Sequence, residues 1–200
     1  MVLTAAHCLG GTLWADMVIH FTTDQNRSHQ TAKVIDRRAA LDRIPIDHQE
    51  FDWGDVAVVK FEGTAPAPYQ PIKLETVSLV KTNDTVVLAG YGRTTAAEPS
   101  NGRDGVGVLR SVDQTLLQVP YGQTEILINI KDKGPCSGDS GGPAFIEQNG
   151  ELIQVGIASR LTNHDITPGT KDTYTCSVDL VYSHVSVYVP WIQSAIQSMK

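Results

Sequence analysis

Cysteine is scarce. Three residues in 200 cannot build the dense disulfide framework of small secreted domains, and the odd count leaves one thiol over. Long apolar runs are missing too: no stretch approaches the roughly 18 residues a membrane helix requires, and no charged start followed by an apolar core marks a secretory signal. Charge of one sign never accumulates. The net charge of −6 is spread over a mixed surface, which argues against a nucleic-acid face and a polybasic membrane patch. The cluster Arg27, Lys33, Arg37, Arg38 and Arg43 is interleaved with Asp36 and Asp42 and reads as solvated surface. No repeat is visible, and Gly105-Val106-Gly107 lacks the strand-turn-helix setting of a dinucleotide loop. The six histidines show no short paired spacing and no carboxylates cluster, so nothing here calls for a metal or another cofactor.

What is present is enough for one sizeable core or two small ones, since 41% of the chain is hydrophobic. Short apolar runs separated by turn signals predict strands at Met17–Phe21, Val56–Phe61, Thr85–Ala89, Leu109–Leu117, Glu125–Ile130, Pro143–Ile146, Ile153–Ser159 and Leu180–Val185. The expected class is all-β, a sandwich or barrel. The proline-rich stretch from Gly63 to Pro71 reads as a linker, because proline removes ladder donors. At the end, Pro190 at a first helical position leads Trp191, Ile192, Ala195, Ile196 and Met199 on one apolar face.

Three segments carry chemistry. Gly138-Asp139-Ser140-Gly141-Gly142-Pro143 sets a serine among glycines, and Thr4-Ala5-Ala6-His7-Cys8 sets a histidine in an apolar frame. A serine hydroxyl is a poor nucleophile until a nearby imidazole takes its proton, so the two belong together. Asp55 stands directly before the apolar run Val56–Phe61, where a carboxylate would be held from water and suited to orient His7; Asp52 is its rival. Gly138 lets the backbone approach closely and aim its N–H, with that of Ser140, at a developing oxyanion. His20, His29, His48, His164 and His184 read as packed or surface residues.

Together with Gly90-Tyr91-Gly92-Arg93-Thr94, and Val181-Tyr182-Ser183-His184 followed by Trp191-Ile192, these segments make the chain resemble the trypsin/chymotrypsin family of serine proteases over nearly its whole length. The resemblance implies two Greek-key β barrels with a terminal helix: residues 1–68 as the remainder of the first, carrying His7 and Asp55, and 69–200 as the second, carrying Ser140. It implies a serine endopeptidase that acts through an acyl-enzyme, secreted to an extracellular or periplasmic space, monomeric, with protein or peptide substrates and protein inhibitors as partners. It pairs Cys136 with Cys176, which leaves Cys8 over.

The same resemblance places Gly134 at the base of the primary pocket, Ser159, Arg160 and Leu161 on the strand that pairs with substrate backbone, and Leu180 on a pocket wall. With no acid at position 134, the expected preference is for small or medium apolar residues before the cut. Asp179, one residue from Leu180, keeps a Lys/Arg preference as the alternative. Only six residues precede His7, and no Ile-Val-Gly-Gly-like motif occurs. Asp139, which in the family pairs with a freed amino terminus, is then expected to turn to water or to another cation. On that reading the N-terminal part of the domain is absent and this chain alone has weak or no activity. The alternative function is a non-catalytic, protease-like binding module.

Overall fold

The computed structural model describes residues 1–10, 16–40, 52–94, 105–130, 133–162 and 179–199. Cys176, Asp42, Arg43, His48 and His164 lie outside them. Strands β1 (Val2–Thr4), β2 (Val18–Phe21), β3 (Gln30–Ala39) and β4 (Ala57–Phe61) form a curled antiparallel sheet in the order β1-β4-β3-β2. A second sheet contains β5 (Lys73–Leu74), β6 (Thr85–Gly90), β7 (Arg110–Tyr121), β8 (Glu125–Ile128), β9 (Pro143–Gln148), β10 (Glu151–Leu161) and β11 (Leu180–His184). Its order runs β11-β8-β7-β6-β9-β10, and β10 pairs back to β11, so these six strands close a barrel. β5 is added outside, parallel to β10. The all-β expectation holds, with one barrel closed and one sheet open.

The closed barrel is filled by Val86, Leu88, Leu116, Ile126, Ile128, Ala144, Val155 and Tyr182. β4 acts differently, as a wall between two cores. Its alternate residues Ala57 and Val59 face Ala6, Leu9 and Val34, while Val58, with the preceding Val56, faces Ala5, Ile157 and the helix, as the two-residue period of a strand requires. β3 escapes sequence reading. It is rich in charge, only Val34 in it is buried, and the register slips between Val34 and Asp36 so that Ile35 points outward. Pairing with β2 and β4 on its two edges holds it in place instead.

The helix α1 (Val185–Ser198) begins earlier than the sequence suggests, and Pro190 lies inside it rather than at its first position. The proline forfeits one backbone hydrogen bond, but Val185, Val189, Ile192 and Ala195 at three- and four-residue spacing are buried against Val56, Val58 and Ile157, and tertiary packing outweighs local preference. At the helix end, Lys60 Nζ donates to the Met199 carbonyl and Arg38 donates to Ser198. Cations there complement the helix dipole. Part of the basic cluster is therefore structural: Arg38 also bonds Asp36, and Arg37 Nη1 donates to the Leu9 carbonyl.

Candidate active site

Asp55 is fully buried at the entrance to β4. Its Oδ1 accepts the His7 backbone N–H at 2.8 Å and its Oδ2 lies 2.7 Å from His7 Nδ1. Ser159 Oγ, from β10, donates to the same Oδ2 at 2.7 Å, and Ser183 Oγ, from β11, donates to the Asp55 carbonyl at 3.3 Å. The Asp55 carboxylate is thus held by the His7 segment and by β10, and its backbone carbonyl by β11. His7 itself lies in a short 3-10 turn, Ala6–Leu9, whose Ala6 and Leu9 are buried.

The electrostatics follow from these bonds. The hydrogen bond to Asp55, joined by a contact with Cys8 Sγ, raises the His7 pKa above its ordinary value against the opposing effect of burial. For Asp55, burial pushes the pKa up, but the bonds from His7 and Ser159 outweigh it and the net direction is down. The rival Asp52 is engaged elsewhere: its Oδ1 accepts the Gln123 and Thr124 N–H groups and the Thr124 hydroxyl.

Two glycines bring the serine segment to His7. Gly138 and Gly141 hold φ of +96° and +75°, a region costly for other residues. A Cβ on Gly141 would also sit 2.2 Å from Thr4 Oγ1, 3.0 Å from the Ala5 nitrogen and 3.3 Å from Cys8 Sγ. The serine segment therefore closes directly on the histidine segment. The Gly141 N–H bonds the Ala158 carbonyl and the Ala158 N–H bonds that of Gly142, which fastens the loop to β10. Among the described residues the N–H groups of Gly138 and Ser140 have no acceptor and the exposed Ser140 hydroxyl has no hydrogen bond, while His7 Nε2 faces Cys8 Sγ at 3.7 Å.

Among the described residues Asp139 meets no cation. Its carboxylate accepts the Gly92 N–H at 2.7 Å and the Cys136 N–H at 2.9 Å, and it lies so close to Gly90 and Gly92 that a side chain at either would overlap it. Two backbone dipoles replace the expected charge partner.

Beside Ser140 is a pocket of about 50 Å³, lined by Pro135, Cys136, Ser137, Ala158, Leu161 and Leu180 together with Asp139, Ser140, Ser159 and Arg160. Four residues expected at the substrate site, Ser159, Arg160, Leu161 and Leu180, thus come together. Gly134 does not join them. It is packed against Ile130 and borders a separate groove of about 590 Å³ with Gly90, Gly92, Arg93 and Asp139. Asp179 does not line the small pocket either.

The sequence reading missed how the Arg160 side chain is used. It forms a double ion pair with the buried Glu125, at 2.6 and 2.8 Å, and stacks 4.4 Å over the Trp53 ring. Glu125 also accepts the Trp53 N–H. The cluster locks the segment leading into Asp55 to the closed barrel. Only its residue types signal it in the sequence, because its members lie far apart along the chain. The bond from Ser159 to Asp55 is hidden for the same reason.

The family model described as Trypsin matches residues 1–192. Over 212 residues the chain is 26% identical to Duodenase-1 of Bos taurus, covering all of this chain and 75% of that protein. It is 30% identical over 204 residues to Serine protease SP24D of Anopheles gambiae, covering 98% and 68% of the two. A third relative, Chymotrypsin-2 of Vespa crabro, is 30% identical over 199 residues, covering 96% and 83%. With its closed barrel, curled second sheet and terminal helix, the chain belongs to the trypsin family of serine proteases.

Proposed function

We propose that this chain is a serine endopeptidase in which Ser140 is the nucleophile, His7 the general base and then acid, and Asp55 the residue that orients His7. The observation that carries the reading is the wholly buried Asp55, fastened to His7 by two bonds, with the Ser140 loop closed on the same segment through Gly141. Ser140 Oγ attacks the scissile carbonyl carbon as its proton passes to His7 Nε2. The N–H groups of Gly138 and Ser140 take the oxyanion, and each such donor lowers the barrier by about 2.7–4 kcal/mol. Collapse expels the amine, which takes the proton from His7, and water repeats the sequence to free the acid.

The dimensions of the small pocket and its lining by Ala158, Leu161 and Leu180 support a preference for small or medium apolar residues before the cut. The position of Asp179 outside the pocket weighs against the Lys/Arg alternative. We also assign a Cys136–Cys176 disulfide, an extracellular or periplasmic setting, and protein or peptide substrates. No helix among the described residues is long and apolar enough to cross a membrane.

One observation favours the non-catalytic reading: His7 Nε2 faces Cys8 rather than Ser140. Catalytic hydrogen bonds are often loose in the absence of substrate, so the enzyme reading stands ahead. A serine-directed phosphonate probe decides between them. The folded chain should be labelled and its Ser140→Ala variant should not; a folded parent that stays unlabelled overturns the enzyme reading. Cleavage-site profiling of the labelled form tests the pocket, where predominant selection of Lys or Arg would replace the apolar preference.

A further inference from the structure

The histidines have no paired spacing in sequence, yet the β2–β3 hairpin makes a pair. His20 stands in β2 opposite Thr31, and His29 lies one residue before β3. His20 Nδ1 comes to 2.6 Å from His29 Nε2, with ring centroids 4.9 Å apart. The partners determine the tautomers. His29 Nδ1 lies 2.6 Å from the Arg27 carbonyl oxygen, which only accepts, so Nδ1 carries the proton. In the neutral ring Nε2 is then a lone pair, to which His20 Nδ1 donates. A backbone carbonyl that holds one ring nitrogen and leaves the other as a lone pair is the outer arrangement found around metal-ligating histidines.

We propose that His20 and His29 form a surface site for a divalent d-block cation of the copper(II) or nickel(II) type, bound by His29 Nε2 and His20 Nδ1 with water in the remaining positions. The shared proton shows that the two nitrogens face each other. The metal binds beside the line that joins them, about 2.0 Å from each, once the rings turn toward it and His20 releases the proton from Nδ1 to solvent and takes one up at Nε2, which leaves the ring neutral. Two nitrogens bound at right angles at about 2.0 Å from a tetragonal ion are about 2.8 Å apart, whereas tetrahedral bonding separates them by about 3.3 Å. The observed 2.6 Å is nearer the first, and surface rings make the remaining adjustment within their ordinary rotamer motion. Imidazole donors suit these ions, while calcium and magnesium take oxygen. No third His, Cys, Asp or Glu joins the pair among the described residues, so this is a two-imidazole site.

The hairpin loop above the pair, residues 22–29, is docked on the residues that follow β6 and precede β7. Tyr91 Oη donates to the Thr22 carbonyl at 2.6 Å, the Gln25 N–H to that of Gly107 at 2.7 Å and the Leu109 N–H to that of Thr23 at 2.8 Å. A metal at the base of the loop ties down this contact with the segments flanking β6 and β7 and raises Tm by mass action.

Copper(II) alone, titrated calorimetrically into the chelator-stripped full chain, should fill one site whose Kd weakens by about tenfold or more in His20→Gln and again in His29→Gln, since losing even an outer partner of a metal ligand costs that much. Pulsed EPR of the one-to-one complex should report two imidazole nitrogens, and copper should raise the Tm of the parent but not of the double variant. Both side chains lie on the hairpin surface, and far-UV circular dichroism confirms that the variants are folded. An affinity that survives in the double variant, or a spectrum with one imidazole, overturns the proposal.

Discussion

Among the described residues are two histidine–carboxylate pairs of equal length, 2.7 Å at His7–Asp55 and 2.7 Å at His184–Glu75, in very different surroundings. At the first, Asp55 is wholly buried while the His7 side chain remains 27% exposed. The carboxylate takes Nδ1 and leaves Nε2 facing Cys8 Sγ, in the segment on which the Ser140 loop closes. At the second, the His184 ring is only 4% exposed, and Nε2 itself meets Glu75 Oε2, with Ser186 Oγ 3.2 Å away. Glu75 is also held by the Leu79 N–H, and the His184 backbone N–H bonds the Thr124 carbonyl. Identical chemistry thus serves packing at one place and, in the proposed reaction, proton transfer at the other. What differs is which nitrogen the carboxylate occupies and what the remaining one can reach.

The strongest way to break this comparison is Asp55→Asn. An amide there removes the charge that orients His7, and kcat/KM should fall by about 10⁴ with the fold retained. The pH profile gives a second readout. General-base action needs neutral His7, and its pKa is raised, so the acid limb of kcat/KM in the parent should lie above the ordinary histidine value of about 6.5 and move down in the variant. A kcat/KM unchanged in Asp55→Asn would deprive the pair of its assigned role.

The same shifts make a stability claim. Because the folded His7 pKa is raised, the pair's contribution is full below about 6.5 and is lost as pH rises through the folded value; because the folded Asp55 pKa is lowered, its contribution is present above about 3.9 and is lost as pH falls through the folded value. Urea titrations across pH should show this window in the parent and flatten in Asp55→Asn.

The buried pair should answer in the opposite way. Glu75→Ala leaves His184 without its partner, and breaking a buried pair costs about 3–5 kcal/mol. Urea unfolding should record that loss, while kcat/KM of the folded fraction stays near the parent. A large kinetic defect in folded Glu75→Ala would erase the distinction between the two pairs.

The smallest effect sharpens the comparison. Ser159→Ala removes one of the bonds to Asp55 Oδ2 and should cost about 1.5–3 kcal/mol, read as a kcat/KM drop of about ten- to a hundredfold. Ser159→Thr, which keeps the hydroxyl, should recover part of it. Equal losses in both variants would mean that packing, and not the hydrogen bond, is the contribution of Ser159.

Much of this was legible in the linear chain. β4, β6 and β9 to β11 announce themselves by short apolar runs between turn residues, and the glycines around Ser140 by their density. β3 was not legible, because charged side chains hide a strand stabilised by its two neighbours. The start of α1 was obscured by Pro190, whose local cost is outweighed by burial of Val185 and Val189. Asp139 is expected from the sequence to turn to water or to another cation, and the N–H dipoles of Gly92 and Cys136, with the tight approach of Gly90 and Gly92, hold it instead.

By itself the sequence determined the all-β class and the three segments bearing His7, Asp55 and Ser140, because apolar periodicity and glycine placement are local properties. Tertiary structure alone decided that Ser159 completes the hold on Asp55, that Glu125, Arg160 and Trp53 lock the two sheets together, that Gly134 lies away from the small pocket, and that His20 meets His29. These are contacts between residues distant along the chain or across a hairpin. Their distances are set by how sheets close and register, which no single segment encodes.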